Sequence, residues 1–202
     1  MILKGRNSIP DRLLVILKEP NDPDGKWGAS GGDIREFGRS GGRPATWNNL
    51  VRWSALVDNP DLTLAEIDVA DSEVRQRHLR RIAVMNLKKR PGRATSVMKD
   101  IRSYAEQHWI LLQEQLQLYR PYVTIAGGVF PILRDLMDRT ERREEGSCYS
   151  YFEDETLGVC FDFYHPQQRH YKNEVLFDDL KRLIIERLGG QKYDLARNIK
   201  AL

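Results

Sequence analysis

Three short runs along the chain are apolar almost without interruption: Leu13-Leu14-Val15-Ile16-Leu17, Ile82-Ala83-Val84-Met85 and Tyr122-Val123-Thr124-Ile125-Ala126. Runs this short, with no polar alternation, predict strands covered on both faces, as parallel sheets use them. Between them the apolar positions fall at helical spacing. Thr46 is placed to cap a helix from Trp47 to about Val57, with Trp47, Leu50, Val51 and Ala55 on one side. A short helix is expected near residues 71–80. From Thr95 to about Tyr119, Met98, Ile101, Ala105, Leu112 and Leu116 keep helical period until Pro121 ends the run, which predicts the longest helix. Another helix is expected from about Phe130 to Arg139. Residues 148–164 read as a hairpin turning near Asp154 and Glu155, and a last amphipathic helix over Asn173 to Leu188 turns Val175, Leu176, Leu180, Leu183 and Ile184 inward. Repeated strand–helix units of this kind predict a single α/β domain over residues 1–202, three α/β/α layers around a mostly parallel central sheet.

In such sheets, sites form in the loops beyond the carboxyl ends of the strands. Four stretches qualify: Lys18-Glu19-Pro20-Asn21, Asn86-Leu87-Lys88-Lys89, Gly127-Gly128 and His165-Pro166. Residues 21–44 hold seven glycines among polar residues, too broken for an element and longer than most connections. Ordered loops of that length tend to carry function.

Composition narrows the classes. With 202 residues, 41% of them hydrophobic and 30% charged, the chain suits a globular core and excludes collagen-like, disordered and membrane-spanning classes. No window approaches the roughly 20 apolar residues of a membrane span, and Met1 to Arg6 lacks the apolar stretch of a signal peptide, so a cytoplasmic protein without a membrane partner is expected. Two cysteines, Cys148 and Cys160, are too few for a disulfide scaffold. Without a paired Cys-x-x-Cys they do not make a zinc site with His165 and His170, and no metal is expected.

The net charge of +3 does not announce a nucleic-acid binder, but its distribution does. Arg75, Arg77, Arg80, Arg81, Lys88, Lys89, Arg90 and Arg93 lie in residues 74–93 without one acid, while acids gather elsewhere, as in Glu153-Asp154-Glu155. His78, His108 and His170 are read as packing or surface residues, and Trp47, Trp53 and Trp109 as core. Lys18 and Lys88 are the lysines a Schiff-base lyase would need, but no residue pattern marks either as desolvated.

LKEPND at 17–22, MNLKKRPG at 85–92 and YHPQQR at 164–169, in that order and with Gly127-Gly128 between the last two, resemble the uracil-DNA glycosylase superfamily over roughly residues 11–188. The resemblance implies that superfamily's fold, DNA as partner, no cofactor and a monomer. It implies Glu19 as the carboxylate that positions water and offsets positive charge on the sugar, where relatives commonly carry Asp or Asn. It implies Asn86 as the reader of the base edge, one amide orientation suiting uracil and the flipped one cytosine. It implies His165 as the donor to the 2-oxygen of the departing base. DNA contacts are expected from Lys88, Lys89, Arg90, Arg93, Gly127 and Gly128, and from Gln167, Gln168 and Arg169 in the loop that wedges into the duplex. Trp27 and Phe37 are candidates to stack on the extruded base.

Asn21 departs from the uracil-specific pattern, which has a Tyr here that excludes substituents at carbon 5. A small amide leaves that side open. The expectation is therefore a monofunctional DNA glycosylase that flips out a pyrimidine and hydrolyses its N-glycosidic bond, acting on a 5-substituted cytosine such as those of viral DNA, in antiviral defence. The alternatives are a uracil-DNA glycosylase of base-excision repair, a catalytically silent nucleic-acid-binding protein, and a hydrolase of free nucleosides.

Overall fold

The computed structural model describes residues 13–20, 44–92, 95–143, 149–168 and 170–188. Asn21, Trp27, Phe37, Arg93, Cys148 and Arg169 lie outside the described residues. The chain is α/β, with the elements β1 (Leu13–Leu17), α1 (Pro44–Asp58), α2 (Ser72–Leu79), β2 (Ile82–Asn86), α3 (Met98–Gln107), α4 (Trp109–Tyr119), β3 (Val123–Gly127), α5 (Phe130–Leu136), β4 (Arg142–Arg143), β5 (Ser150–Asp154), β6 (Gly158–Phe163) and α6 (Asn173–Leu188). It falls into two compact units, one drawing on residues 13–20 and 81–165, the other on 44–80 and 166–188.

The first unit holds a six-stranded sheet in the order β2-β1-β3-β6-β5-β4. β1 pairs in parallel with β2 and β3, and β3 with β6, while β5 runs antiparallel to both β6 and β4. β1 and β3 are buried along their whole length, as their unbroken apolar runs predict. Leu14 and Ile16 join Ala83, Met85, Ala126, Phe152 and Cys160 in a core with Ile101, Ala105, Leu112, Leu116, Phe130 and Leu133 of α3, α4 and α5. Gly158 turns the chain into β6 at φ +63°, and a β-carbon there would strike the Tyr122 carbonyl, so only glycine fits.

In the second unit α1 packs with α2 and α6, burying Leu50, Trp53 and Leu56 together with Phe177, Leu180, Leu183 and Ile184. Ser54 Oγ and Asp58 Oδ2 stand 3.4 Å and 3.6 Å from the same ring nitrogen, Nδ1, of buried His78. A nucleophile–base–acid relay needs the two groups on opposite ring nitrogens, so these two contacts do not make one, and they join α1 to α2.

Five expectations about the elements need correction, the first being Val175, which α6 leaves exposed rather than turned inward. The helix expected over 95–119 is two helices, with His108 at φ −113°, ψ 20° between them. Neither Gly nor Pro marks that break, and the apolar spacing runs on across it. The helix at 130 ends at Leu136, where Asp138 takes a positive φ, rather than at Arg139. α1 begins at Pro44, so Thr46 lies inside it; a proline at the first position loses nothing, since that N–H has no partner within the helix. β2 is an edge strand with alternating burial, not one covered on both faces.

Candidate active site

The parallel strands of the first unit end in register: Leu17 faces Asn86, Ile16 faces Ala126, and Gly127 faces Phe163. The residues that follow each strand therefore meet at one edge of the sheet. Pairing even continues past β1 and β2. Leu87 N donates to Leu17 O (2.8 Å), Lys88 N to Lys18 O (2.9 Å) and Gly92 N to Pro20 O (2.9 Å), so the loop after β1 is fastened to the loop after β2.

That fastening sets Glu19. Its side chain is only 4% exposed, and Oε2 lies 2.6 Å from Lys88 Nζ. The carboxylate occupies the space a side chain at Gly92 would need, since a β-carbon there would overlap Glu19 Cδ and both carboxylate oxygens. Burial of an unpaired carboxylate costs several kcal/mol, so the Lys88 ammonium is what permits a charged group in this place. The ion pair fixes the Glu19 carboxylate at one point of the strand edge.

The glycine pair after β3 brings the other chains close. A β-carbon on Gly127 would lie 2.9 Å from Leu17 Cδ2 and 3.5 Å from His165 Cα. One on Gly128, at φ +74°, would lie 2.9 Å from Lys18 Cε and 3.5 Å from Lys18 Nζ. The Lys18 side chain thus lies over the Gly127-Gly128 turn, while Gly128 N donates to Ala126 O and Phe163 O at 2.8 and 3.3 Å.

His165 follows at the end of β6. Burial, with the Lys18 charge as a second cause, draws its imidazolium from the ordinary 6.5 down to about 4. The ring is therefore neutral at pH 7, with one N–H to donate and no charge of its own. Within the second unit, Asn49 of α1 donates to Pro166 O at 2.8 Å from a buried position.

Asn86 closes β2 on the half-exposed face of that strand. Among the described residues no hydrogen bond occupies its amide, so it does not cap its own turn. Lys89 and Arg90, next along the same loop, are exposed. Desolvation still draws the Lys89 ammonium down to about 8, a shift that nothing in the sequence marked.

Two expectations about DNA contacts change in meaning. Gln168 turns its amide on its own loop, accepting from His170 N (2.8 Å) and Tyr171 N (3.0 Å) and donating to Tyr171 O (3.1 Å). Within the basic stretch 74–93, Arg75 bonds Asn48 Oδ1 (2.5 Å) and Val69 O (3.2 Å), Lys88 pairs with Glu19, and the residues divide between the two units. Gln167 lies with Gln168 in the second unit.

The sequence does not mark Gly92 as a site residue, and marks Lys18 only as a lysine that a Schiff-base lyase would need. Their roles depend on partners far away in sequence, and the only local sign was that Lys18 and Gly92 sit within the loop motifs. Among the described residues no group of three His, Cys, Asp or Glu is placed to hold a metal, and no helix is long and apolar enough to cross a membrane. No family model matches the chain, and no curated protein matches it.

Proposed function

We propose that the protein is a monofunctional DNA glycosylase of the uracil-DNA glycosylase type, acting on a pyrimidine flipped out of DNA. The observation that carries this reading is the placement, beyond the strands of one sheet edge, of Glu19, fixed by its ion pair with Lys88, and of a half-buried His165 kept neutral by desolvation. Breaking a base–sugar bond creates positive charge on the sugar and negative charge on the base, and these two groups answer those two charges.

The steps balance simply. The C1′–N1 bond breaks and its electron pair leaves with the base, delocalising onto the 2-oxygen. Glu19 faces the cationic sugar. Water supplies the new C1′–O bond and gives one proton to the Glu19 carboxylate, which passes it to solvent. His165 donates its N–H to the 2-oxygen of the departing base, which later takes a proton from solvent. Asn86 reads the base edge with an amide to which no described residue is hydrogen-bonded. The products are an abasic site and a free base.

Asn21 favours a pyrimidine with a substituent at carbon 5, a hypermodified cytosine of viral DNA, and hence a defence role. Uracil in base-excision repair is the competing substrate. Duplexes and single strands carrying uracil, hydroxymethylcytosine or glucosylated hydroxymethylcytosine separate the two when scored for alkali-labile sites. Cleavage of at least one modified-cytosine strand is expected. His165→Ala should lower the single-turnover rate by about 10²–10³-fold, as loss of one aligned donor does elsewhere. A wild-type protein that binds these strands and breaks none is a binding protein, and the enzymatic reading falls.

A further inference from the structure

The strand order carries information about Lys18. From β1 the chain goes on to β2 on one side, and from β3 it goes on to β4, β5 and β6, all on the other, so β1 and β3 are the neighbours at which the winding of the sheet reverses. Crevices that hold ligands open at such a point, beyond the strands' carboxyl ends. Lys18 is the residue directly after β1, and its Cε and Nζ lie over Gly128, directly after β3. Its charge acts on His165 at the end of β6. Among the described residues Lys18 has no carboxylate and no hydrogen-bonding partner for its ammonium, unlike Lys88, whose charge is cancelled by Glu19. It is half-buried, so its charge is screened less than that of a surface lysine.

We infer that Lys18 is a third catalytic residue, placing its ammonium beside the His165 N–H on the departing base, where it stabilises the anion that forms when the C1′–N1 bond breaks. The inference rests on the glycosylase reading. A neutral imidazole donates one hydrogen bond but brings no charge, and a half-buried ammonium close by supplies the missing positive field. The electron pair of the broken bond goes to the base, the ammonium keeps its protons throughout, and no covalent bond to Lys18 forms. Gly128 belongs to the same device, because a side chain there would push the Lys18 stem aside.

The test compares wild type, Lys18→Met and Lys18→Arg at saturating enzyme, on duplexes carrying the base the wild type releases and a fluorinated analogue of that base with a more acidic N1. DNA affinity is measured alongside by anisotropy at two salt concentrations. The expected result is a rate for Lys18→Met about 10²-fold lower at unchanged Kd and salt slope, with partial recovery in Lys18→Arg. The loss should be smaller on the fluorinated base, whose anion needs less help. A weakened, less salt-dependent Kd with an unchanged rate at saturation would make Lys18 a phosphate contact and overturn the inference. So would an equal loss on both bases. If the wild type itself releases no base, the glycosylase reading fails and takes the inference with it. An active wild type with an unaffected Lys18→Met sinks the inference alone.

Discussion

The strand edge has two halves that carry the same residue type in opposite states. After β2, the Lys88 ammonium lies 2.6 Å from the Glu19 carboxylate, the pair is nearly buried, and two loops are fastened around it by backbone hydrogen bonds. After β3, the Lys18 ammonium lies over a glycine with no carboxylate partner among the described residues, next to an imidazole kept neutral. One half is closed and internally compensated; in the other, the Lys18 ammonium has no compensating carboxylate among the described residues. The proposed reaction, which parts a cationic sugar from an anionic base, uses this difference, with a fixed carboxylate on one side and a positive field on the other.

The closed half should be the more costly to disturb. Lys88→Met leaves Glu19 almost buried and unpaired, and removing one member of such a pair costs about 3 kcal/mol. Chemical denaturation is expected to show that loss, while Lys18→Met, which breaks no pair, stays within about 0.5 kcal/mol of wild type. Equal destabilisation by the two would erase the distinction between the halves.

A pH series sharpens the comparison from the Lys18 side. The His165 imidazolium is drawn from 6.5 to about 4 in the folded protein, so between these values the unfolded chain binds more protons. Stability contributed by neutral His165 is present above pH 6.5 and is lost as pH falls toward 4, up to about 3 kcal/mol. Denaturation midpoints at pH 7, 5.5 and 4.5 follow that loss against a His165→Gln control. In Lys18→Met the His165 pKa, read from its ring protons by NMR, should rise above about 4, because one of its two causes is gone.

The smallest structural change tests the fit of the closed half. Gly92→Ala puts a methyl group where the Glu19 carboxylate lies, and overpacking of this kind costs about 1–3 kcal/mol. Activity should fall with stability, since the carboxylate must leave its place beside Lys88. An alanine variant with wild-type melting and wild-type base release would mean that Glu19 is not held as described.

Much of the frame was legible in the chain. Leu13–Leu17 and Val123–Gly127 announce buried central strands because every position there is apolar or small, apart from Thr124, whose hydroxyl donates to Leu157 O at 2.7 Å. β2 looked the same on paper, since Ile82 and Val84 are as apolar as Ala83 and Met85. Only its edge position leaves alternate residues partly exposed. The two-residue β4 has no periodicity to read, and the break at His108 leaves the helical spacing intact. Of the site, Glu19, Asn86 and His165 were visible as strand-end residues. The states of Lys18 and Lys88 were not, because each depends on a partner brought near by folding: Glu19 lies 69 residues from Lys88, and Gly128 lies across the sheet from Lys18.

The central claim is hydrolysis of a base–sugar bond in DNA by opposed charges at this strand edge. Mass spectrometry of free base, set against abasic sites counted in the same reaction, tests it most directly. The account expects one base released per abasic site from modified-pyrimidine DNA, none from free nucleosides, and near-complete loss in Glu19→Gln. Release from nucleosides but not DNA, or undiminished release by Glu19→Gln, would contradict it.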